Sequence, residues 1–432
     1  LGQTPIKPYD WDVATTATPE QVMRVFRRVI PTGIAHGTVT VLAGTLGIEV
    51  TTLRGETTYS DGRHPDQVTF VDDIHADLAR RDFTVNAIAF DPLERKIEDP
   101  YGGFDDLQVK QLRAVGDPAL RFSEDGLRVL RAARFAATLE FTIERETLAA
   151  IRPSLESYKK VSAERIRDEW LKALKASIPS IAFNIMQNEG MLDHTAPELS
   201  TLLGCEQNRY HAYDVWKHTM YVLDQTPKNN PILRMAALLH DIGKPKTRAF
   251  SDITSDFTFY QHEVVGAKIA DALLKRLKFS NEEQKQISHL VRHHLVVYEP
   301  SWTDSAVRRF ITRVGTDQWQ NVMTLAHADV RGKGRDVSEE LERLDELTKR
   351  VKDSIEKGAA FGISDLAVRG NDLIETFNIS PGPLIGKLLR QLLETVLEHP
   401  EYNQRERLLA EARTLIEPGQ TSSRERSDSG SP

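Results

Sequence analysis

Residues 9–22, YDWDVATTATPEQV, set two carboxylates, Asp10 and Asp12, on either side of Trp11 and just ahead of a helix start. In an extended strand these side chains point to one face, because alternate residues share a side. Paired carboxylates so placed suit Mg2+, which prefers oxygen ligands and keeps water and substrate phosphates in its shell. A solvated acidic turn fits the same fourteen letters and, on the motif alone, is the favoured reading. The Thr18-Pro19-Glu20 step predicts a helix with Thr18 as N-cap and Pro19 in its first turn.

The flanking sequence decides between these readings. GTVTVLAG and GIEVTTLRG are β-branched runs bounded by glycines, and QVTFVDDI and FTVNAIAFDP look similar, so four strands are expected here. The second run carries Glu49, a third carboxylate that a neighbouring strand can bring beside the pair. In DLARRDFTVNA, Asp77, Arg80, Arg81, Asp82 and Asn86 follow; adjacent arginines seek a phosphate or carboxylate partner. From about residue 119 helical signals dominate. SEDGLRVLRAARFAATL predicts a helix capped by Ser123, with Glu124 and Arg128 on one face and Asp125 beside Arg128. An aspartate acceptor next to an arginine donor can bond the Watson–Crick edge of a base, and a plain intrahelical salt bridge has the same spacing. Arg121, Arg131 and Arg134 add positive charge there, and SAERIRDEWLKALK is a second amphipathic helix.

The bulk properties bound the rest. At 432 residues the chain exceeds one ordinary core, so two to four domains are expected. A net charge of −7 excludes a uniformly basic nucleic-acid coat but leaves room for a local basic groove. Cys205 is the lone cysteine, which rules out an intramolecular disulfide and fits a reducing, cytoplasmic setting. No apolar run approaches a membrane span, so no membrane partner is expected.

In order, DWDVATTATPEQV, EVTTLR, DLARRDFTVNAIAFDP, EDPYGGFDDL, EDGLRVLRAARF and SAERIRDEW closely resemble the class II tRNA nucleotidyltransferases, the CCA-adding enzymes and related bacterial poly(A) polymerases. That resemblance implies an α/β, polymerase-β-like head followed by all-α neck, HD and tail domains. It implies Asp10 and Asp12 as ligands of catalytic Mg2+, with Glu49 near them. The group Asp77, Arg80, Arg81, Asp82 and Asn86 would contact the ribose and phosphates of the incoming nucleotide. Asp125 and Arg128, supported by Glu124, would select CTP and then ATP. ETTYSDGRHP, with Asp61 and Arg63, lies where the family has the flexible loop associated with adding A. The family places a Gly-Gly-x-x-Arg-Asp element before the two-carboxylate step, whereas here LGQTPIKPYDWD precedes it, so the head is expected to be N-terminally incomplete, without its first strand.

A histidine-rich block follows. His218 lies in YHAYDVWKHTMYVL, and His240 and Asp241 end the apolar run ILRMAALLHDIGKP, where Gly243 and Pro245 stop the helix. Mixed histidine and carboxylate donors suit a divalent transition metal, with Mg2+ as an alternative. The block resembles the HD phosphohydrolase domain. This resemblance implies His218, His240, Asp241 and Asp329 as ligands of a divalent ion (Mn2+, Ni2+, Co2+ or Mg2+). It places His262 and His294, rather than His293, at a phosphate site with Lys244 nearby. The implied chemistry is hydrolysis at RNA ends such as 2′,3′-cyclic phosphates. GISDLAVRGNDLIETFNISPGPLIGK, with Gly370, Asn371, Asp372, Gly382, Pro383 and Gly386, resembles the family's tRNA-binding tail, though its glycines serve equally as ordinary helix caps.

The expected organisation is a head at 1–118, a helical neck at 119–200, an HD domain at 205–335, a tail at 336–416 and a disordered end at 417–432. The expected function is CCA, or terminal A, addition to tRNA from CTP and ATP, with phosphohydrolysis in the HD domain. The alternatives are a poly(A) polymerase, or a phosphohydrolase or tRNA-binding protein with an inactive head. The oligomeric state is not legible.

Overall fold

The computed structural model describes residues 11–55 and 69–424, so Asp10, Asp61 and Arg63 lie outside the described residues. The chain divides into two compact units. The first is Leu1–Cys205 with Pro227–Met235 and Ile269–Lys285; the second is Glu206–Thr226, Ala236–Lys268 and Gln286–Pro432.

In the first unit a four-stranded sheet runs in the order β1-β4-β3-β2, with β1 at Asp12–Thr15, β2 at Val29–Gly33, β3 at Thr38–Ala43 and β4 at Leu46–Thr52. The β3–β4 hairpin turns through Gly44 at φ +64°, a left-handed conformation that costs glycine nothing. Helix α1, Pro19–Val25, starts in a capping box: Thr18 accepts from the Gln21 N–H, and the Gln21 side chain accepts from the Thr18 N–H. Its Val22 packs on Val39, Val41 and Val50, closing one face of the sheet. Side chains alternate along a strand, so Glu49, next to Val50, belongs to the opposite, uncovered face.

Two of the four expected strands are shorter or replaced. FTVNAIAFDP opens with a 3-10 turn, Thr84–Asn86, before a three-residue strand, Ala89–Asp91, because the Asp82 carboxylate draws in the Phe83 N–H and the Asn86 side chain. Among its described residues, from Thr69 on, QVTFVDDI contributes a bridge at Phe70 and then the start of a helix, Ile74–Ala79, whose N-cap is Asp73. Ser123 is not an N-cap. Asp117 caps an earlier helix, Pro118–Glu124, which takes Ser123 into its body, and the next helix runs Leu127–Leu139. The break sits at Asp125, whose backbone is extended (φ −141°, ψ 106°), and the adjoining Gly126 passes so close to Ser157 that an added Cβ would lie 2.3 Å from its carbonyl oxygen. Ala132, Ala133, Ala136 and Ala137 are buried on Leu127–Leu139, and such small residues allow its close packing against Ala163–Ala173 and Ser180–Asn188.

Among its described residues the second unit is helical, with one short antiparallel hairpin, Ala249–Ser251 with Asp256–Thr258, inside the block expected to be all helix. AFSDITSDFT alternates apolar and polar residues around a turn in which Ser255 takes φ +49°, a two-residue period too brief to stand out among long helical ones. Farther on, Leu388, Leu392, Val396 and Leu408 build a separate apolar core with Leu373 and Val368. The last helix, Arg405–Arg424, runs eight residues into the stretch expected to be disordered. Extending a helix already anchored at Leu408 and Ala412 costs less than nucleating one.

Candidate functional sites in the two units

The first site lies on the open face of the sheet. β1 and β4 pair in parallel with Asp12 opposite Glu49, and β3 places Thr40 opposite Glu49 on the other side. Register partners point to one face, so two solvent-accessible carboxylates stand side by side at the sheet edge. Oxygen donors so disposed are the kind Mg2+ takes, and the residues present fit that ion.

The arginine platform follows in the same unit. Asp77 is fully buried; its Oδ1 accepts from the Arg54 N–H at 3.1 Å and from Arg80 Nε at 2.9 Å, and its Oδ2 lies 3.3 Å from Arg81 Nη2. Burial alone would raise the Asp77 carboxyl, but the charges of Arg80 and Arg81 outweigh it and hold it below the usual carboxylate range. Asp77 therefore positions both guanidinium groups and is itself shut off from solvent. Asp82 is likewise buried: Oδ1 accepts from Phe83 N and Asn86 Nδ2, while Oδ2 accepts from Arg131 Nε at 2.6 Å.

In the neck, Glu124 and Arg128 pair across the helix face they were expected to share. Asp125 and Arg128 do not pair side chain to side chain. Asp125 Oδ2 takes Arg165 Nη2 at 2.7 Å, whereas Arg128 bridges Glu124 and donates at 2.8 Å to the carbonyls of Arg121 and Arg80. The last of these ties the helix to the loop that carries the arginine pair. Arg134 reaches Glu169 at 2.6 Å and stacks on Phe135 at 3.5 Å from the ring centre. Arg165 and Glu169 were not singled out from sequence; both lie in SAERIRDEW, a helix legible there only by its amphipathic spacing.

The second site lies in the other unit, where four histidines and two aspartates converge. His218 Nε2 is 2.9 Å from Asp329 Oδ1 and 3.2 Å from His240 Nε2. His240 Nε2 is 3.1 Å from Asp241 Oδ2. On the far side of Asp241, Oδ1 lies 3.4 Å from His262 Nε2 and 3.7 Å from His294 Nε2. His240, His262 and His294 each place Nδ1 at 2.7–2.8 Å from a carbonyl, of Ala237, Phe259 and Val291, which leaves each Nε2 facing the interior of the cluster. His293 instead faces the His289 ring, 4.5 Å away. Gly243 lets the turn after Asp241 close, since a Cβ there would sit 2.2 Å from the His262 carbonyl oxygen.

Electrostatically this cluster calls for a cation. Burial pushes the His240 imidazole down, but Asp241 and Asp329 outweigh it and raise it to about 10. His294, buried and beside two other histidines, falls to about 3. Lys244 Nζ is 2.6 Å from Asp241 Oδ2 and 2.6 Å from Gln207 Oε1. A cavity of about 820 Å3 opens onto Asp241, His262, His294 and Asp329, and is lined by Lys244, Lys333 and Tyr260. His211, not anticipated from sequence, also lines it and packs edge-on against His218. The residues present fit a divalent transition metal.

The Poly A polymerase head domain family matches residues 1–113, the RNA and SrmB-binding site of polymerase A matches 140–203, and tRNA nucleotidyltransferase domain 2 matches 257–412. A CCA-adding enzyme of Levilactobacillus brevis is 32% identical over 413 residues, covering 93% of this chain and 88% of the relative. One from Lactococcus lactis subsp. cremoris is 32% identical over 423 residues, with 95% and 89% covered. Among solved structures, the Bacillus stearothermophilus CCA-adding enzyme in complex with CTP matches with a TM-score of 0.67 at 26% identity, covering 96% of this chain and 90% of that one.

Proposed function

The chain belongs to the CCA-adding enzyme family, and from that membership we propose that it completes tRNA 3′ ends by adding C, C and A from CTP and ATP without a nucleic-acid template. The observation that carries the assignment of the chemistry to the head is the in-register pairing of Asp12 with Glu49 on the uncovered sheet face. Asp10, Asp12 and Glu49 would hold Mg2+, which supplies charge stabilisation to the α-phosphate and the attacking 3′-hydroxyl. Arg80 and Arg81, oriented by Asp77, bind the triphosphate. Asp82 and Asn86 shape the turn beside the ribose. Asp125 and Arg128, with Glu124 behind the arginine, present acceptor and donor edges to the base. Asp61 and Arg63 belong to the loop that switches the enzyme to A. The working division is a head at 1–118, a neck at 119–200, an HD domain at 205–335 and a tRNA-binding tail at 336–416, and the setting is the cytoplasm. Among the described residues no helix is long and apolar enough to cross a membrane.

The test is a tRNA lacking CCA, incubated with labelled CTP and ATP. Extension by C, C and A that stops there, abolished in Asp12→Ala, supports the reading. Long A tails select the poly(A) polymerase alternative, and absence of label refutes both.

A second activity is favoured by the inward-facing Nε2 atoms and the cavity beside them. His218, His240, Asp241 and Asp329 would hold a divalent ion (Mn2+, Ni2+, Co2+ or Mg2+) that activates water for phosphoester hydrolysis. Lys244, His262 and His294 face the cavity where a phosphate would sit. Hydrolysis of an RNA 2′,3′-cyclic phosphate, lost in Asp241→Ala and retained in Asp12→Ala, is expected. Retention in Asp241→Ala would refute it.

A further inference from the structure

The cavity beside the histidines has two kinds of wall. Asp241, Lys244, His262 and His294, all buried, make a polar floor, and aromatic side chains line the rest. Its volume of about 820 Å3 falls among sites that enclose a whole small molecule, about 300–1,000 Å3, and far exceeds what a phosphate group occupies. Most of the rings are already taken. Phe257 packs against Phe250 and lies under the Arg248 guanidinium, Lys244 lies over Phe259 at 5.6 Å, and Arg335 lies over Tyr210 at 5.7 Å. Tyr260 differs. It is 81% exposed, and no ring or cation among the described residues covers it. We propose that Tyr260 is a base-stacking residue of the hydrolytic site, so that this cavity selects phosphoesters that carry a nucleobase, with the terminal nucleotide of an RNA as the fitting substrate. This rests on the reading of the cavity as a phosphohydrolase site.

The backbone on both sides of this ring is fixed. The Phe259 carbonyl accepts from the His262 N–H at 3.2 Å and lies 2.8 Å from His262 Nδ1. The Gln261 carbonyl accepts from the N–H groups of Val264 and Val265 at 3.0 Å each. Gln261 itself takes φ +59°, a left-handed conformation unfavourable for a residue with a side chain and of the kind that gathers at ligand clamps. Arg209 donates to Asp256 Oδ2 from Nε at 2.9 Å and from its own N–H at 3.1 Å, which fastens the hairpin to the loop that carries Tyr210. An exposed aromatic ring on so rigid a support loses little freedom when a ligand stacks on it. Position supplies the rest of the argument. Two residue steps separate Tyr260 from His262, so their Cα atoms are at most about 7.6 Å apart. A phosphate held at His262 and a base on Tyr260 then belong to one nucleotide or to adjacent ones. Every base has a π-face, so stacking accepts all four and disfavours phosphoesters that lack a ring.

The experiment uses the full chain carrying Asp12→Ala, loaded with Mn2+ and desalted, and two esters that differ in the base: adenosine 2′,3′-cyclic phosphate and methyl ribofuranoside 2′,3′-cyclic phosphate. The adenosine ester should be hydrolysed with a kcat/KM about tenfold higher. Tyr260→Leu should lower kcat/KM for the adenosine ester about tenfold, to the level of the base-free one, whereas Tyr260→Phe should keep the preference. A second readout needs no metal. Adenosine 2′-monophosphate should bind the metal-free protein about tenfold more tightly than methyl ribofuranoside 2′-phosphate in isothermal titration, and Tyr260→Leu should abolish the difference. Equal rates for the two esters, a preference that survives Tyr260→Leu, or a loss of equal size for both esters would overturn base stacking and leave hydrolysis standing. No hydrolysis of either ester would overturn the phosphohydrolase reading and this proposal with it. Because the Tyr260 side chain is exposed, its replacement leaves the core of the unit intact.

Discussion

Arg131→Met should expose how the nucleotide-side turn is held. Arg131 Nε meets Asp82 Oδ2 at 2.6 Å, with Asp82 8% exposed and the arginine 30%. Removing one member of a buried pair typically costs about 3–5 kcal/mol, because the other charge is left without compensation. Two features reduce that here. The guanidinium is partly open to water, and Asp82 keeps the Phe83 N–H and the Asn86 amide. A loss of about 2–3 kcal/mol follows. Asp82→Asn keeps an oxygen for both of those donors and strands only a half-open arginine, so about 1 kcal/mol is expected. The double variant should be more stable than the sum of the two losses by about 1–2 kcal/mol. The sign of the pH dependence also follows. Burial raises the Asp82 carboxyl, but Arg131 outweighs it, and the folded value lies below the unfolded one. The pair's contribution is thus present above the unfolded value, about 3.9, and is lost as pH falls through the lower folded one. The gap between the wild-type protein and Arg131→Met should therefore narrow below about pH 4. Urea unfolding followed by tryptophan fluorescence, to which Trp170, buried against Phe183 in the same unit, contributes, reads this. A loss under about 0.5 kcal/mol, strict additivity, or a gap that widens in acid would refute the reasoning.

Arg165→Ala frees Asp125 from its partner, and the ratio of kcat/KM for CTP to that for ATP should shift about tenfold with little change in melting; an unchanged ratio would remove Asp125 from base selection. Gly243→Ala forces a Cβ onto the His262 carbonyl and the Gly266 N–H, so retained Mn2+ should drop by about tenfold or more while CTP incorporation persists. Arg234→Met removes the donor that serves the Leu174 and Ala176 carbonyls, each 2.6 Å away, and should cost about 2–3 kcal/mol in urea unfolding.

How much of this was legible depended on whether a feature is local. The strands β3 and β4 and the Thr18 cap follow from β-branched runs bounded by glycine and from a Thr-Pro-Glu step, and all stand in the structure. The order of motifs sufficed for the family. The histidines and aspartates of the second site could be named from the resemblance of the block to the HD domain; by local signal alone only His240 and Asp241 stood out, at an apolar helix stopped by Gly243 and Pro245. What spacing could not supply was partner choice. Arg80, Arg81, Arg128, Arg131 and Arg134 look interchangeable as letters, and an i,i+3 rule pairs Asp125 with Arg128. The extended backbone at Asp125 interrupts that helix, and Arg165, forty positions on, takes the Asp125 carboxylate instead. The same long-range choice sorts the arginines. Arg131 and Arg134 are clamped at 2.6 Å to buried carboxylates, and Arg128 is committed to Glu124 and two carbonyls. Arg81 is held by a looser 3.3 Å contact and is 31% exposed. An anion arriving from solvent must compete with the partner each cation already has, so the weakly held guanidinium is the one from which a triphosphate displaces least.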